Sequence, residues 1–287
     1  MELRADMASQ PFLINLAPTG MVPTRAISAF VPLTPREIIQ DVLACAELGI
    51  TVAHLHARDE DLRPTFSKNV YARIIGGIRE RRPDLLLCVS CSGRGNVPLA
   101  QRMEVLELSG DLKPDMASLT LSSLNFPSEA SVNSPDAVAA LASRMLDCGI
   151  KPELEIFDLG MANMAHVLIR RRLISPPYFA NIFVGNIASA QFRLVEIGAL
   201  TSSLPADTIY SLAGLGAAQL PALAVSAAAA AGARVGLEDN LWMDPQRKTP
   251  ATNAALVEKA YHMATLLGRS ITTPAELRLT LNLPPQN

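Results

Sequence analysis

The chain has 287 residues, of which 49% are hydrophobic and 18% are charged, and its formal net charge at pH 7 is −2. This composition is typical of a globular protein with a large core, and it excludes a broad basic surface for nucleic acid. No apolar segment is long enough to span a bilayer, and the first ten residues, MELRADMASQ, lack the apolar segment of a secretory signal. We therefore expect a cytoplasmic protein with reduced cysteines and with no membrane or nucleic-acid partner.

Strand-like and helix-like segments alternate along the whole chain. FLINLAP at 12–18 and TVAHLHA at 51–57 are apolar runs typical of buried strands, and TPREIIQDVLACAELG between them has the capping residues and spacing of a helix. Further strands are predicted at 85–90, 114–121, 152–157, 178–185, 208–214 and 233–239. Further helices are predicted at 67–82, 97–110, 134–149, 159–173, 191–200, 217–232 and 253–268. Eight strand–helix units predict an α/β protein with a parallel eight-stranded (β/α)₈ TIM barrel.

An open doubly wound sheet is the alternative architecture. Such a sheet usually has fewer strands and a glycine-rich phosphate loop after the first strand, whereas LAPTG at 16–20 contains one glycine. No linker is visible, so we expect one domain over residues 1–287. The segment 273–287 has the pattern of a short C-terminal helical extension.

Polar residues follow the predicted strands at their carboxyl ends. These ends meet at one face of a barrel, where active sites lie. The polar or glycine residues at these ends are Thr19, His54, His56, Ser90, Ser92, Gly93, Ser118, Thr120, Glu155, Arg234, Glu238 and Asp239. Their agreement on one face indicates an active site there.

The motif HLH places His54 and His56 on the same face of a strand, because side chains two residues apart point the same way. Two imidazoles at this spacing can share a metal ion, and zinc in catalytic sites usually takes a third protein ligand. Glu238 is the best candidate, since strands 8 and 2 both flank strand 1. The alternative is a pair of core histidines satisfied by hydrogen bonds. Cys88 and Cys91 lie in a strand pattern and should point to opposite faces, so their CxxC does not predict a zinc site.

Glu153 and Glu155 share one face of the segment PELEIF. Buried carboxylates need cationic or hydrogen-bonding partners, and Arg234 is a candidate. We expect a functional role for Glu155, while Glu153 is left open between function and a structural ion pair. Asp239 points away from Glu238 if strand 8 continues through it; otherwise Asp239 could act as a base or hold Arg234.

Six segments together resemble the β-keto acid cleavage enzymes, a family that includes 3-keto-5-aminohexanoate cleavage enzyme. In chain order they are NLAPTG, VAHLHARD, VSCSGR, KPDMASLT, KPELEIFDLGM and RVGLEDN. The resemblance implies a TIM barrel that assembles as a homo-oligomer, often a tetramer. It also implies a divalent ion, usually Zn²⁺, on His54, His56 and Glu238, and a condensation of a β-keto acid with acetyl-CoA that yields acetoacetate and an acyl-CoA.

The resemblance also assigns roles to the other polar residues. The catalytic set would be Asp239, Arg234, Glu155 and Ser90. Ser118 and Thr120 would contact the substrate. From their positions at strand ends, and not from the resemblance, Ser92, Gly93 and Thr19 are further candidates for substrate contact. In this family the proposed steps are proton removal from the β-keto acid, Claisen-type attack on the thioester, CoA transfer and retro-Claisen cleavage.

Three features depart from the family's pattern. The aminohexanoate enzyme has a glutamate, associated with the substrate's amino group, where this chain has Val22, so we expect a neutral R group rather than an amino one. GNIAS at 185–189 replaces a glycine-rich GVxGG, and Ala217 follows Gly216 where many relatives have arginine. The last two departures predict altered CoA contacts or a different acceptor.

Two other functions remain open from the sequence. A metal-dependent hydrolase or aldolase would use the same scaffold, but the HxH of amidohydrolases follows the first strand and is joined by later histidines. Here the pair is on the second strand, and His166 and His262 lie in predicted helices. A non-catalytic barrel that binds a small acid is the third possibility.

Overall fold

The computed structural model describes residues 10–285. The prediction about a secretory signal rests on residues 1–9 and so falls outside the described residues, as do the last two residues of the C-terminal extension. Eight parallel strands close into a barrel in the order β1–β8–β7–β6–β5–β4–β3–β2, which confirms the predicted TIM barrel. Strands β1 to β8 are Leu13–Leu16, Val52–Leu55, Leu86–Val89, Met116–Thr120, Lys151–Ile156, Tyr178–Val184, Thr208–Gly214 and Gly232–Val235.

Helices connect the strands on the outside of the barrel. Helices α1 to α9 are Pro35–Glu47, Lys68–Arg79, Leu99–Arg102, Pro135–Cys148, Leu159–Arg170, Leu194–Ser202, Gln219–Ala229, Asn253–Leu266 and Pro274–Thr280. Two hairpins extend from the carboxyl ends of β2 and β4, formed by Ala57–Arg58 with Pro64–Thr65 and by Leu124–Asn125 with Ala130–Ser131. Within residues 10–285, no helix is both long enough and apolar enough to cross a bilayer.

The helix starts follow from local sequence. Thr34 caps α1 through a reciprocal pair of hydrogen bonds with Glu37, and Pro35 occupies the first turn, where its missing N–H costs nothing. Ser134 caps α4 by accepting a hydrogen bond from the N–H of Ala137. These caps lie where the sequence pattern predicted them.

Two predicted elements are wrong in extent. The helix predicted over 97–110 is limited to the single turn of α3, followed by 3₁₀ turns at Glu104–Glu107 and Gly110–Leu112. Contacts with distant residues take precedence there: Arg102 is buried and donates to the carbonyl of Cys91, and Glu104 accepts from the N–H of Lys68. The strand predicted over 233–239 ends at Val235, before the metal-ligand candidate.

The apolar core has two parts. A large shell lies between the barrel and its helices and includes Cys91. A second cluster, the lower plug, fills the amino-terminal end of the barrel and consists of Leu13, Val52, Leu86, Cys88, Met116, Phe179, Leu277, Leu281 and Leu283. Cys88 and Cys91 thus lie on opposite sides of the barrel wall, as strand geometry predicted.

Candidate active site

His54 and His56 lie with Glu238 at the carboxyl end of the barrel. The ring centroids of the histidines are 5.3 Å apart. Nε2 of His56 lies 3.2 Å from Oε1 of Glu238, and Nε2 of His54 lies 4.0 Å from Oε2. One ligand atom from each residue lies within 4.8 Å of the other two, which is compatible with one shared ion. The structure therefore brings together all three residues predicted to hold a metal.

Two observations show that this donor set fits a divalent ion. Oε2 of Glu238 is buried and has no hydrogen-bond partner among the described residues, so a buried anionic oxygen lies unsatisfied beside Nε2 of His54. Burial alone would raise the pKa of Glu238, but Arg234 and the two histidines hold it well below its usual value. Glu238 is thus an ionised carboxylate, the form that binds a metal.

Glu153 lies beneath the histidines and orients His54. It is fully buried, and its Oε2 lies 2.6 Å from Nδ1 of His54. Burial would raise the pKa of Glu153, but His54, Arg234 and Asn15 lower it to about 2. Because an ionised carboxylate can only accept, Nδ1 carries the proton and Nε2 of His54 faces Glu238. A carboxylate that fixes a histidine in this way is typical of metal sites.

His54 is also close to a second group of potential ligands, formed with Cys88 and Glu153. The thiol of Cys88 donates to Oε2 of Glu153 at 3.3 Å, and burial and Glu153 raise its pKa well above the usual value. A thiol must lose its proton to bind a metal, so this deeper group does not fit an ion. It supports the upper site instead.

Arg234 links the metal-ligand candidate to Asp239. Its Nη2 lies 2.9 Å from Oε1 of Glu238, and its Nε donates to Oδ2 of Asp239 at 2.9 Å. The chain turns sharply at Gly236, where φ is +146° and a Cβ would lie 2.1 Å from the carbonyl oxygen of Ala17. This turn ends the strand alternation, so Asp239 faces Arg234, which is the second of the two predicted alternatives.

The cluster is completed by Glu155 on β5. Nη1 of Arg234 is 4.0 Å from both Glu153 and Glu155, in agreement with its predicted role as their cationic partner. The hydroxyl of Thr120 donates to Oε2 of Glu155. Burial raises the pKa of Glu155, and His54 and Arg234 partly offset this increase. Burial also raises the pKa of Asp239, and Arg234 opposes this increase. The site therefore combines strongly ionised carboxylates with carboxylates that hold a proton more readily.

A cavity of about 470 Å³ opens above this cluster. The predicted site residues that line it are His56, Ser90, Ser92, Thr120, Glu155, Arg234, Glu238 and Asp239. Val22 and the departing segments at 185–187 and 215–217 also line it. The cavity wall thus contains both the candidate catalytic and metal-binding residues and the positions at which this chain departs from the family pattern.

Three residues predicted to bind substrate lie outside the cavity lining. The hydroxyl of Ser118 accepts from the N–H of Cys91. Gly93 packs so closely that a Cβ would lie 2.6 Å from the carbonyl oxygen of Val132. Thr19 is fully buried, and its hydroxyl has no hydrogen-bond partner within the described chain. A role for these three in substrate binding stays a prediction.

The sequence patterns did not predict a role for Asn15, Arg94 or Phe126. Asn15 donates to Oε1 of Glu153 at 2.8 Å and so supports the residue that orients His54. An amide within the apolar segment FLINLAP was a signal for it, since buried amides need partners. Arg94 and Phe126 lie on loops, where no periodic pattern marks a cavity-lining side chain. His166 and His262 lie on α5 and α8, as predicted.

The chain is similar in sequence to one protein family and to several named enzymes. The profile of the β-keto acid cleavage enzyme family matches residues 11–283. The 3-oxoadipate:acetyl-CoA acetyltransferase of Cupriavidus necator is 34% identical over 279 residues, covering 96% of both chains. The 3-keto-5-aminohexanoate cleavage enzyme of Acetoanaerobium sticklandii is 30% identical over 276 residues, covering 96% of this chain and 99% of that enzyme.

Among solved structures, apo ObcA superposes with a TM-score of 0.79 at 22% identity, covering 89% of this chain. A ternary complex of ObcA with a C4-CoA adduct and oxalate gives the same TM-score and identity. This chain spans 66% and 68% of the two ObcA chains. At this identity the likeness shows a shared barrel fold.

Proposed function

The chain belongs to the β-keto acid cleavage enzyme family, and on that premise we propose that it is a zinc-dependent member that converts a β-keto acid and acetyl-CoA into acetoacetate and an acyl-CoA. Use of acetyl-CoA by an enzyme acting on a β-keto acid follows from the family and its named relatives. The single observation that carries the zinc assignment is the set His54, His56 and Glu238, with Glu153 orienting the first histidine.

An ion on these three ligands would supply a Lewis acid to the keto and carboxylate oxygens of the substrate, lowering the pKa of the C2 protons. Imidazole nitrogen with a carboxylate suits zinc. Nη1 of Arg234 is buried without a hydrogen-bond partner in the described chain, so it is available to the negative charge that develops on the substrate.

Asp239 is the group best placed to remove the C2 proton. It lines the cavity, and Arg234 holds its carboxylate at 2.9 Å. The resulting carbanion forms a bond from C2 to the thioester carbon of acetyl-CoA, and the CoA thiolate leaves. The thiolate then attacks the original keto carbon, and cleavage of the bond from that carbon to C2 releases the acyl-CoA. The acetoacetate carbanion regains the proton from Asp239.

The side chain R of the substrate is the property on which relatives differ. The names of two relatives specify 3-oxoadipate and 3-keto-5-aminohexanoate, which carry opposite charges at the far end. Val22 lines the cavity and brings no negative charge to bind an ammonium group. This supports a substrate without an amino group, as the sequence predicted.

The remaining features of the proposal come from sequence and family alone. They are a single domain, a cytoplasmic location and a homo-oligomer, with a tetramer as the expected form. Ser90, Ser92 and Thr120 line the cavity and are assigned to substrate contact, and Glu155 to positioning Thr120 and Arg234.

To test this proposal, purified protein is incubated with acetyl-CoA and a panel of β-keto acids, and the acetoacetate formed is measured. Bound metal is measured separately by elemental analysis. We expect about one zinc per chain and acetoacetate only when acetyl-CoA is present. His54→Ala should lose both metal and activity, while His262→Ala, at an exposed position on α8, should lose neither. Product formation without acetyl-CoA would favour a metal-dependent hydrolase or aldolase, and full activity of His54→Ala would contradict the metal assignment.

A further inference from the structure

Arg94 lies in the loop after β3 and presents its guanidinium to the substrate cavity. The guanidinium carbon lies 3.3 Å from the centroid of the Phe126 ring, and both side chains line the cavity. Stacking on an aromatic face is a favourable arrangement for arginine, and it restricts the side chain to one orientation. Arg94 is therefore held in place before any ligand arrives.

The side chain of Arg94 is partly buried, and within residues 10–285 it differs from the buried arginines near the site because its guanidinium has no polar partner. Arg58 donates to the carbonyls of Gly20 and Pro23, Arg102 to that of Cys91, and Arg234 to Asp239. Within residues 10–285, the guanidinium of Arg94 forms neither an ion pair nor a hydrogen bond. A partly buried cation without a counterion is costly, so the site is arranged for an incoming anion.

Several carboxylates of the active site act on the charge of Arg94 without pairing with it. Burial lowers the pKa of Arg94, and the carboxylates that counteract this are Glu238, Glu129, Glu155 and Asp239. Within the described residues none of them forms an ion pair with Arg94, and Glu238, Glu155 and Asp239 are engaged around Arg234 or the histidines instead. Arg94 therefore provides a positive charge on the cavity wall that no carboxylate within residues 10–285 pairs with.

We propose that the β-keto acid used by this enzyme ends in a second carboxylate, and that Arg94, held by Phe126, binds it. The inference rests on the proposed function and names the substrate class within it. It revises the neutral R group expected from Val22 alone: Val22 brings no negative charge to pair with an ammonium group, whereas Arg94 brings a positive charge to pair with an anion. Arg94 is thus a specificity-determining residue.

The test compares three β-keto acids of equal chain length that end in a carboxylate, a methyl group or an ammonium group. For the wild-type enzyme we expect kcat/KM for the carboxylate-ended acid to exceed that for the methyl-ended acid by roughly 10- to 100-fold, because a charge-assisted pair is made only with the former. Arg94→Gln should abolish this preference by raising KM for the carboxylate-ended acid. It should leave kcat/KM for the methyl-ended acid unchanged. Phe126→Leu should reduce the preference in part.

Arg63→Gln is the matched control, because Arg63 is 77% exposed and outside the cavity lining. Metal content and melting temperature of each variant establish that it is folded. The inference would be overturned if Arg94→Gln lowered kcat/KM equally for all three acids. It would also be overturned if the wild-type enzyme preferred the methyl-ended acid. A rise in KM for acetyl-CoA alone would overturn it too, by assigning Arg94 to a CoA phosphate. Failure of the proposed function is distinct: the wild type would then form no acetoacetate from any acid.

Discussion

The lower plug and the polar layer above it use the same strands in opposite ways. Val52 on β2, Met116 on β4 and Phe179 on β6 lie in the plug. Two residues further along the same strand faces are His54, Ser118 and Asn181. Apolar burial in the plug stabilises the folded protein, whereas each buried charge above the plug needs a partner.

This difference shows how the barrel divides stability from chemistry. Glu153 and Arg234 are almost fully buried. Glu153 pairs with His54 and accepts from Asn15, and Arg234 pairs with Glu238 and Asp239, which leaves Nη1 of Arg234 without a hydrogen-bond partner in the described chain. Such networks contribute little net stability but hold groups in one geometry. We expect substitutions in the upper layer to impair metal binding and catalysis, and substitutions in the plug to impair stability.

The largest expected effect is on catalysis by Asp239→Asn. Removing the candidate base should lower kcat by about 10²- to 10⁴-fold, since that is the usual contribution of a general acid or base. Metal content should be unchanged, because Asp239 is not among the proposed ligands. Steady-state kinetics with acetyl-CoA provide the measurement, and Asp61→Asn, at a side chain 72% exposed, is the control. A kcat within threefold of wild type would remove Asp239 from this role.

Next in size is the loss of stability expected for Leu277→Ala in the plug. Leu277 on α9 is 2% exposed, and its truncation leaves a cavity that should cost about 2–5 kcal/mol of unfolding free energy. Urea denaturation measures this cost, and kcat at 25 °C should stay at the wild-type value. Leu279 is 78% exposed on the same helix, so Leu279→Ala should change stability by less than about 0.5 kcal/mol. If Leu277→Ala lowers kcat at temperatures where it is fully folded, the two layers are not separable.

Glu153→Gln tests the contact between the layers. Loss of the charge that orients His54 should weaken metal affinity by roughly 10- to 100-fold, as for other residues that support a metal ligand. Competition with a chelator of known affinity measures this change. Glu60→Gln, at an exposed position, should bind metal as the wild type does. Unchanged affinity in Glu153→Gln would mean that the hydrogen bond, rather than the charge, is sufficient.

The smallest expected effect concerns Asp41, on α1 outside the barrel. Asp41 accepts a hydrogen bond from Asn253, which also donates to the carbonyl of Pro18 and accepts from the N–H of Leu237, next to Glu238. Burial raises the pKa of Asp41 from 3.8 to about 6. The folded protein thus binds this proton more tightly than the unfolded chain, so this contribution to stability is present below pH 4 and is lost as pH rises through 6.

Asp41→Asn should lack that dependence. The unfolding free energy of the wild type relative to Asp41→Asn should therefore fall by about 2 kcal/mol at most between pH 4 and pH 6, after allowance for partial exposure. Urea unfolding at several pH values measures the difference. Parallel pH profiles for the two proteins would show that Asp41 does not titrate in this range.

Much of the fold was predictable because the relevant signals are local. Eight alternating strand and helix patterns identified the barrel, and the two-residue spacing of HLH placed His54 and His56 on one face. The helix predicted over 97–110 was wrong for the opposite reason, since its course depends on contacts of Arg102 and Glu104 with residues far along the chain.

The amino-acid pattern alone thus established the barrel, the family resemblance and the candidate ligands His54, His56 and Glu238, because periodicity and motif order are properties of short segments. It showed Glu153 and Glu155 on one face but left the role of Glu153 open. Closure of the barrel decided that role by placing Glu153 2.6 Å from His54, a residue 99 positions away. Only the folded barrel brings Arg94 and Phe126 together, because they lie on loops that follow two neighbouring strands, and no carboxylate within residues 10–285 pairs with Arg94.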